Sequence, residues 1–213
     1  LRAPENSGVI TSLTTILAEL GDDDPAVTLS ASQIQDFLGT TAQFDLTGFD
    51  PVTGVLANST DARIVVARQT QIQNTTMLML SVLIGLGASS ADANAAISQA
   101  IAEAVAATTS PADTFDPSAQ ADLIAVLSAA AVDLGIDVSA IQNDAAAIIA
   151  AINGNIDSSL ADAGLGNLDF LSAMAANARL AQGDASDAAE QGAASGNLAD
   201  VLTSYSGANL STE

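Results

Sequence analysis

Four features of this 213-residue sequence predict an all-α fold, a multi-helix bundle of about eight to ten helices. Apolar residues recur three and four apart through most of the chain, the spacing that puts them on one face of a helix. Ser or Asp stands before many of these runs and Gly after them, as helix starts and stops require. Alternating runs of β-branched and aromatic residues, which strands need, are scarce. Alanine, the strongest helix former, fills the positions between. An extended N-terminal segment and an irregular C-terminal tail are expected to flank the bundle.

Residues 1–12 read as an extended arm, because Pro4 disfavours helix at Ala3. Ser12 then caps a first helix whose Leu13, Ile16, Leu17 and Leu20 share a face, and Gly21 stops it. Ser30 and Gln33 form a capping box ahead of Ile34, Phe37 and Leu38, with Gly39 as terminator. Asp50 followed by Pro51 is the cap-and-proline start of a short helix. The longest helix is expected from about Asp61 to Leu86. Val65, Ile72, Met79 and Leu86 recur on it every seven residues, as a bundle core stripe or a partner-facing seam would. Arg63 and Arg68 lie on this helix, and its middle, RQTQIQNTT, is polar. Those residues either line a hydrogen-bond network between helices or face water.

Ser89 and Asp92 open the next helix, with Ile97, Ile101 and Val105 on one face. Residues 108–120, carrying two prolines, form the clearest interior linker, with a possible sub-boundary at 108–118. Asp116-Pro117 is expected to start a helix with Leu123, Ile124 and Leu127 inward, ending near Gly135. Ser139 and Gln142 make a second capping box before AAAIIAAI, with a stop at Gly154. A further helix spans Leu168 to Gln182. The chain thus divides into an arm (1–12), a helical domain (13–182) and an Ala/Gly/Ser-rich tail (183–213). The tail lacks periodicity, and only residues 197–205 look able to form a short helix. The tripeptide Phe-Asp-Pro occurs at 49–51 and 115–117, which shared capping chemistry explains without internal duplication.

Aromatic residues make up only 3 % of the chain, so the core must be built from Ala, Leu, Ile and Val. Such side chains bury little area each, at about 25 cal/mol per Å², and stability must come from many close contacts. The net charge is −21, from 25 acidic residues against four arginines. That surface repels nucleic acid and anionic lipid, so neither is an expected partner. It also repels other copies of the chain unless salt or divalent cations screen it, which suits a saline or calcium-rich setting; plain solubility explains it equally well. The longest strongly apolar run, residues 77–88, is shorter than the roughly 20 residues a membrane span needs. A chain beginning at Leu1 is expected to be a processed product or an excerpt.

Histidine, cysteine and lysine are all missing, and with them the usual bases, nucleophiles, disulfides and thiolate metal sites. Paired carboxylates could hydrolyse a glycoside, but the aromatic platforms that hold sugars are lacking, with no Trp and one Tyr. No enzymatic activity is expected. Calcium, which takes six to eight oxygen ligands, is the cofactor this inventory could bind. Its candidate ligands are Asp22, Asp23 and Asp24, just past a helix end, and Asp45 and Asp50, in one loop. These do not form a twelve-residue EF-hand loop, because position 33, where the closing Glu would fall, is Gln. Three adjacent aspartates point in divergent directions, and a solvated turn is the ordinary reading of such a run. Glycosylation sequons stand at Asn58, Asn74 and Asn209; Asn74, inside a helix, is a poor acceptor.

Ala3-Pro4, Leu13-Thr14-Thr15, Leu38-Gly39, Asp45-Leu46-Thr47 and Phe49-Asp50-Pro51 follow one another in an order that resembles an Ala/Asp-rich helical module of large secreted bacterial surface proteins. Those proteins often carry RTX-type calcium repeats or cadherin- and Ig-like domains. Ser12 stands where the pattern often has Pro, and the resemblance spans roughly residues 1–86. It implies an extracellular or cell-surface setting in bacteria and a non-enzymatic role, and it supplies no site residues. The expected function is an extracellular structural protein, the self-assembling subunit of a filament, sheath or adhesin. It would form a homo-oligomer or polymer through its terminal segments and apolar helix faces. The alternative is a calcium- or ligand-binding helical module of a secreted multidomain protein.

Overall fold

A computed structural model of the chain describes residues 13–15, 31–40, 48–107 and 114–205. Among the described residues the fold is all helical, without strands. Its helices are α1 (Ala31–Leu38), α2 (Pro51–Leu56), α3 (Thr60–Gly85), α4 (Ser90–Ala106), α5 (Gln120–Leu134), α6 (Gln142–Ala161), α7 (Asn167–Gln182), α8 (Asp184–Ser195) and α9 (Leu198–Ser204). The N-terminal arm, most of the first expected helix and the last eight residues lie outside the described residues.

The bundle is organised around α3. This 26-residue helix, about 39 Å long at 1.5 Å per residue, packs against α2, α4, α6, α7 and α8. Being covered from several sides, it buries residues all round: Val65, Val66 and Ala67 in succession, then Ile72, Leu78, Met79, Val82 and Leu83. The seven-residue stripe is therefore core, with Val65, Ile72 and Met79 at most 1 % exposed. A chain of neighbours, α4 on α5, α5 on α6 and α6 on α7, wraps this centre. Ile97, Ile101 and Val105 of α4 and Leu123 and Leu127 of α5 point into the same apolar cluster, which extends from Leu13 to Leu198. One core thus draws on residues from both sides of 108–118. A second cluster, Val55, Ala62, Val66, Ala67, Ile156, Phe170 and Met174, joins α2 and the start of α3 to α6 and α7.

Local signals explain several of the helix ends. Asp50 caps α2 by accepting from the Val52 and Thr53 amides at 3.0 and 3.2 Å. Ser59 caps α3 and Ser89 caps α4, the latter with Asp92 three residues on, as the capping pair requires. Gly39 and Gly135 take left-handed φ of 69° and 66°, the conformation that ends a helix at low cost only for glycine.

Four details differ from the sequence reading. Gly154 does not stop α6, which runs through it to Ala161. It does not enter the left-handed region, and a glycine inside a helix is only a weak spot when the flanking residues pack well. The Ser139–Gln142 capping box does not form. The Ser139 amide donates to Asp137, and the Gln142 side chain instead accepts from Ser128 Oγ of α5 at 2.8 Å, so a tertiary bond displaces the local one. Asp116-Pro117 does not begin α5. Asp116 folds a tight turn by accepting from both the amide and hydroxyl of Ser118, and the helix starts at Gln120.

The fourth difference is in the tail, where residues 184–195 form helix α8. Its inner face is Ala185, Ser186, Ala189, Gly192 and Ala193, all buried. The face is periodic, but its residues are small and barely differ in hydropathy from their neighbours. What makes it a face is contact: α8 lies so close to α3 that a Cβ on Gly85 would overlap the backbone carbonyl of Glu190.

This closeness predicts opposite outcomes for two glycines. Gly85→Ala forces α3 and α8 apart and lowers stability by about 1–3 kcal/mol. Gly154→Ala, whose Cβ meets nothing within 4 Å, raises it by up to about 1 kcal/mol, because alanine is the better helix residue. Equilibrium urea unfolding of both variants checks the pair.

Candidate functional site

The polar middle of α3 turns much of its surface inward. Gln71, Asn74 and Thr75 are fully buried, and opposite them on α6 is Asn153, also fully buried. Asn153 lies on the inward stripe of α6 with Ala146, Ile149, Ile152 and Ile156, so the helix brings an amide to the seam where an apolar residue would normally sit. Its Nδ2 donates to the Pro117 carbonyl at 2.6 Å and to Thr75 Oγ1 at 3.0 Å, using both of its hydrogens. The Gln71 carbonyl stands farther off, at 3.4 Å. Asn153 Oδ1 accepts from Asn74 Nδ2, also at 3.4 Å.

Gln71 is saturated. Its Nε2 donates to the Asn153 carbonyl at 3.2 Å and to Asp157 Oδ1 at 2.8 Å, and its Oε1 accepts from Arg68 Nη1 at 2.8 Å. Arg68 extends the network outward to Asp116, 3.6 Å away. That carboxylate is half exposed, so water screens the pair and it contributes at most about 1 kcal/mol. The network thus runs from the surface at Asp116 to the centre at Asn153. It pins the turn at 116–118 across α3 and α6. Phe115, in the same segment, stacks on Phe37 of α1 with ring centroids 6.3 Å apart. Two buried atoms of the network, Asn74 Oδ1 and Arg68 Nε, have no hydrogen-bond partner.

A second polar feature lies in the smaller cluster. The Arg63 guanidinium sits 4.5 Å above the centre of the Phe170 ring, and its Nη1 donates to the Leu165 carbonyl at 3.2 Å. The aromatic face compensates part of the charge, by about 0.5–2 kcal/mol depending on how far water is excluded. Arg63 thereby fastens α3 to the α6–α7 loop and to α7.

Of the five candidate calcium ligands, Asp22, Asp23, Asp24 and Asp45 lie outside the described residues. Asp50 is occupied with α2: besides the two amides, its Oδ2 accepts from Thr53 Oγ1 at 2.6 Å. These bonds, that from the Thr53 hydroxyl foremost, hold its carboxyl below the ordinary value of 3.8. Asp137, bonded by the amide and hydroxyl of Ser139, is lowered for the same reason. Among the described residues no three acidic side chains come together in a group that could hold a metal ion. Of the sequons, Asn58 is exposed with φ 66° and accepts from Asn167 Nδ2, Asn74 is sealed inside the network, and Asn209 lies outside the described residues.

Half of the buried network is legible in RQTQIQNTT. Asn153, Asp157 and the Pro117 carbonyl are not, although an amide on the apolar stripe of α6 is a signal that could have found the first. What the assembled groups do chemically is exchange hydrogen bonds, and this fixes the register of α3, α6 and the 116–118 turn. Searches against protein-family models, curated proteins and solved structures find no match to this chain.

Two outcomes follow from this geometry. Asn153→Ala strands Thr75, Asn74 and the Pro117 carbonyl without partners and lowers stability by about 2–4 kcal/mol. Asn167→Ala, which loses only the exposed bond to Asn58, costs less than about 0.5 kcal/mol in the same denaturant titrations. The second concerns pH. Because the folded Asp50 carboxyl titrates below its unfolded value of 3.8, its stabilisation is complete above that value and is lost as pH falls through the lower folded one. The melting-temperature advantage of the native chain over Asp50→Asn, whose amide caps without titrating, is therefore expected to shrink below pH 3.8.

Proposed function

We propose that the chain is an extracellular structural protein, the self-assembling subunit of a bacterial filament, sheath or adhesin. The observation that carries this reading is the placement of its polar chemistry. Inside, amides and hydroxyls pair with one another across α3 and α6 and serve to hold helices in register. The sequence supplies no histidine, lysine or cysteine for other work. The resemblance of the first 86 residues to modules of secreted surface proteins points the same way.

In this reading copies join through apolar surface and the terminal segments. Val132 and Leu168 are 76 % and 73 % exposed, and Val52 and Leu56 about half exposed. Since α8 and α9 belong to the bundle, the terminal contribution falls to residues 1–12 and to the chain beyond α9. Copies carrying a charge of −21 repel one another, so assembly depends on salt or a divalent cation, and calcium is the natural candidate.

Negative-stain imaging of the purified chain, with calcium and with chelator, across a range of salt, tests the proposal. Ordered polymers that dissolve on removal of the cation or salt are expected. Monomers under every condition overturn it. Monomers that bind calcium saturably and melt at a higher temperature favour the binding-module alternative instead.

A further inference from the structure

Asn153 is followed by Gly154, the only Asn-Gly pair in the sequence. That pair is chemically the most open to deamidation, because glycine offers no side chain to hinder attack by its nitrogen. We propose that Asn153 is a latent deamidation site, held unreactive by the fold and released when α6 opens, so that opening is recorded as a permanent covalent change. In the reaction the Gly154 nitrogen loses its proton to base and attacks Asn153 Cγ. The new C–N bond closes a five-membered succinimide, the Cγ–Nδ2 bond breaks, and ammonia leaves. Water then opens the ring at either carbonyl, giving aspartate or isoaspartate at position 153.

The native structure blocks each requirement. Gly154 lies inside α6, where its N–H is committed to the helix and the helical backbone holds its nitrogen away from Cγ. The departing amide is fixed by the Pro117 carbonyl and Thr75 Oγ1, and Asn153 is inaccessible to water. Packing gives no reason for a glycine at 154, since a Cβ there would meet nothing within 4 Å. The product does not fit the native site. A carboxylate only accepts, and at position 153 it would face the Pro117 carbonyl oxygen that now lies 2.6 Å from the amide nitrogen. Isoaspartate would also add a backbone carbon to the middle of α6.

The test is peptide mapping with isoaspartate detection, on the full chain held in mildly alkaline buffer with and without denaturing urea. Asn58, exposed and followed by Ser59, is the internal reference. In urea, modification at Asn153 is expected to outrun that at Asn58; in native buffer the order reverses. Gly154→Ala, checked by circular dichroism to be folded, is expected to lose most of the reaction at Asn153 in urea. Chains carrying the product, returned to native buffer, are expected to melt lower than unmodified ones. Equal rates at Asn153 in native and denaturing buffer, no slowing in Gly154→Ala, or an unchanged melting temperature of the modified chains would each overturn the proposal.

Discussion

A fully buried carboxamide, that of Asn153, ties α6 to α3 and to the Pro117 carbonyl, and the packing of the bundle depends on those bonds being made. Burying an amide without partners costs more than a single hydrogen bond returns, so the seam tolerates one register only. A shift of α6 along α3 by one turn would set Gln71, Asn74 and Thr75 against isoleucine and alanine. Apolar contacts alone would resist such a slip weakly, because a core of small aliphatic side chains offers many similar packings. The polar seam is what selects one of them.

Small residues make this centre possible. With α3 covered by several partners, bulky side chains on every face would hold the neighbours apart. Ala62 and Ala67 on α3, Ala145 and Ala146 on α6, and Ala185, Ala189 and Ala193 on α8 let the helices approach closely. The contact of Gly85 with the Glu190 backbone is the limit of that approach. Close backbones also bring the short side chains of Asn and Thr within reach of each other across the seam. The alanine content and the buried amides are two parts of one packing solution.

Charge is handled differently inside and outside. Arg63 and Arg68 are partly buried on α3, one against the Phe170 ring and one against Gln71 and Asp116. Among the described residues, Asp50 at the start of α2 and Asp137 in the α5–α6 loop are held below the ordinary carboxyl value by local hydrogen bonds, and both remain in water. Among the described residues no acidic side chain is buried, so their negative charge lies where solvent and counterions moderate it and bears on contacts between molecules more than on the fold.

The sequence by itself determined the helical class, the extent of α3 and α7, the start of α4 and the caps at Asp50 and Ser89, because propensity, apolar spacing and capping are local properties of neighbouring residues. It also marked the stretch holding Gln71, Asn74 and Thr75 as polar, and left open whether it paired between helices or faced water. Only the tertiary structure decided who those partners are, since Asn153 and Pro117 are distant in sequence and the bonds exist only once α6 and the 116–118 turn are docked. The same holds for α8, whose inner face of small residues gains meaning from its contact with α3. It holds for Gly154, which α6 carries through because its neighbours are anchored on both sides. Local chemistry is written residue by residue, whereas the pairing of buried polar groups is settled by which surfaces meet.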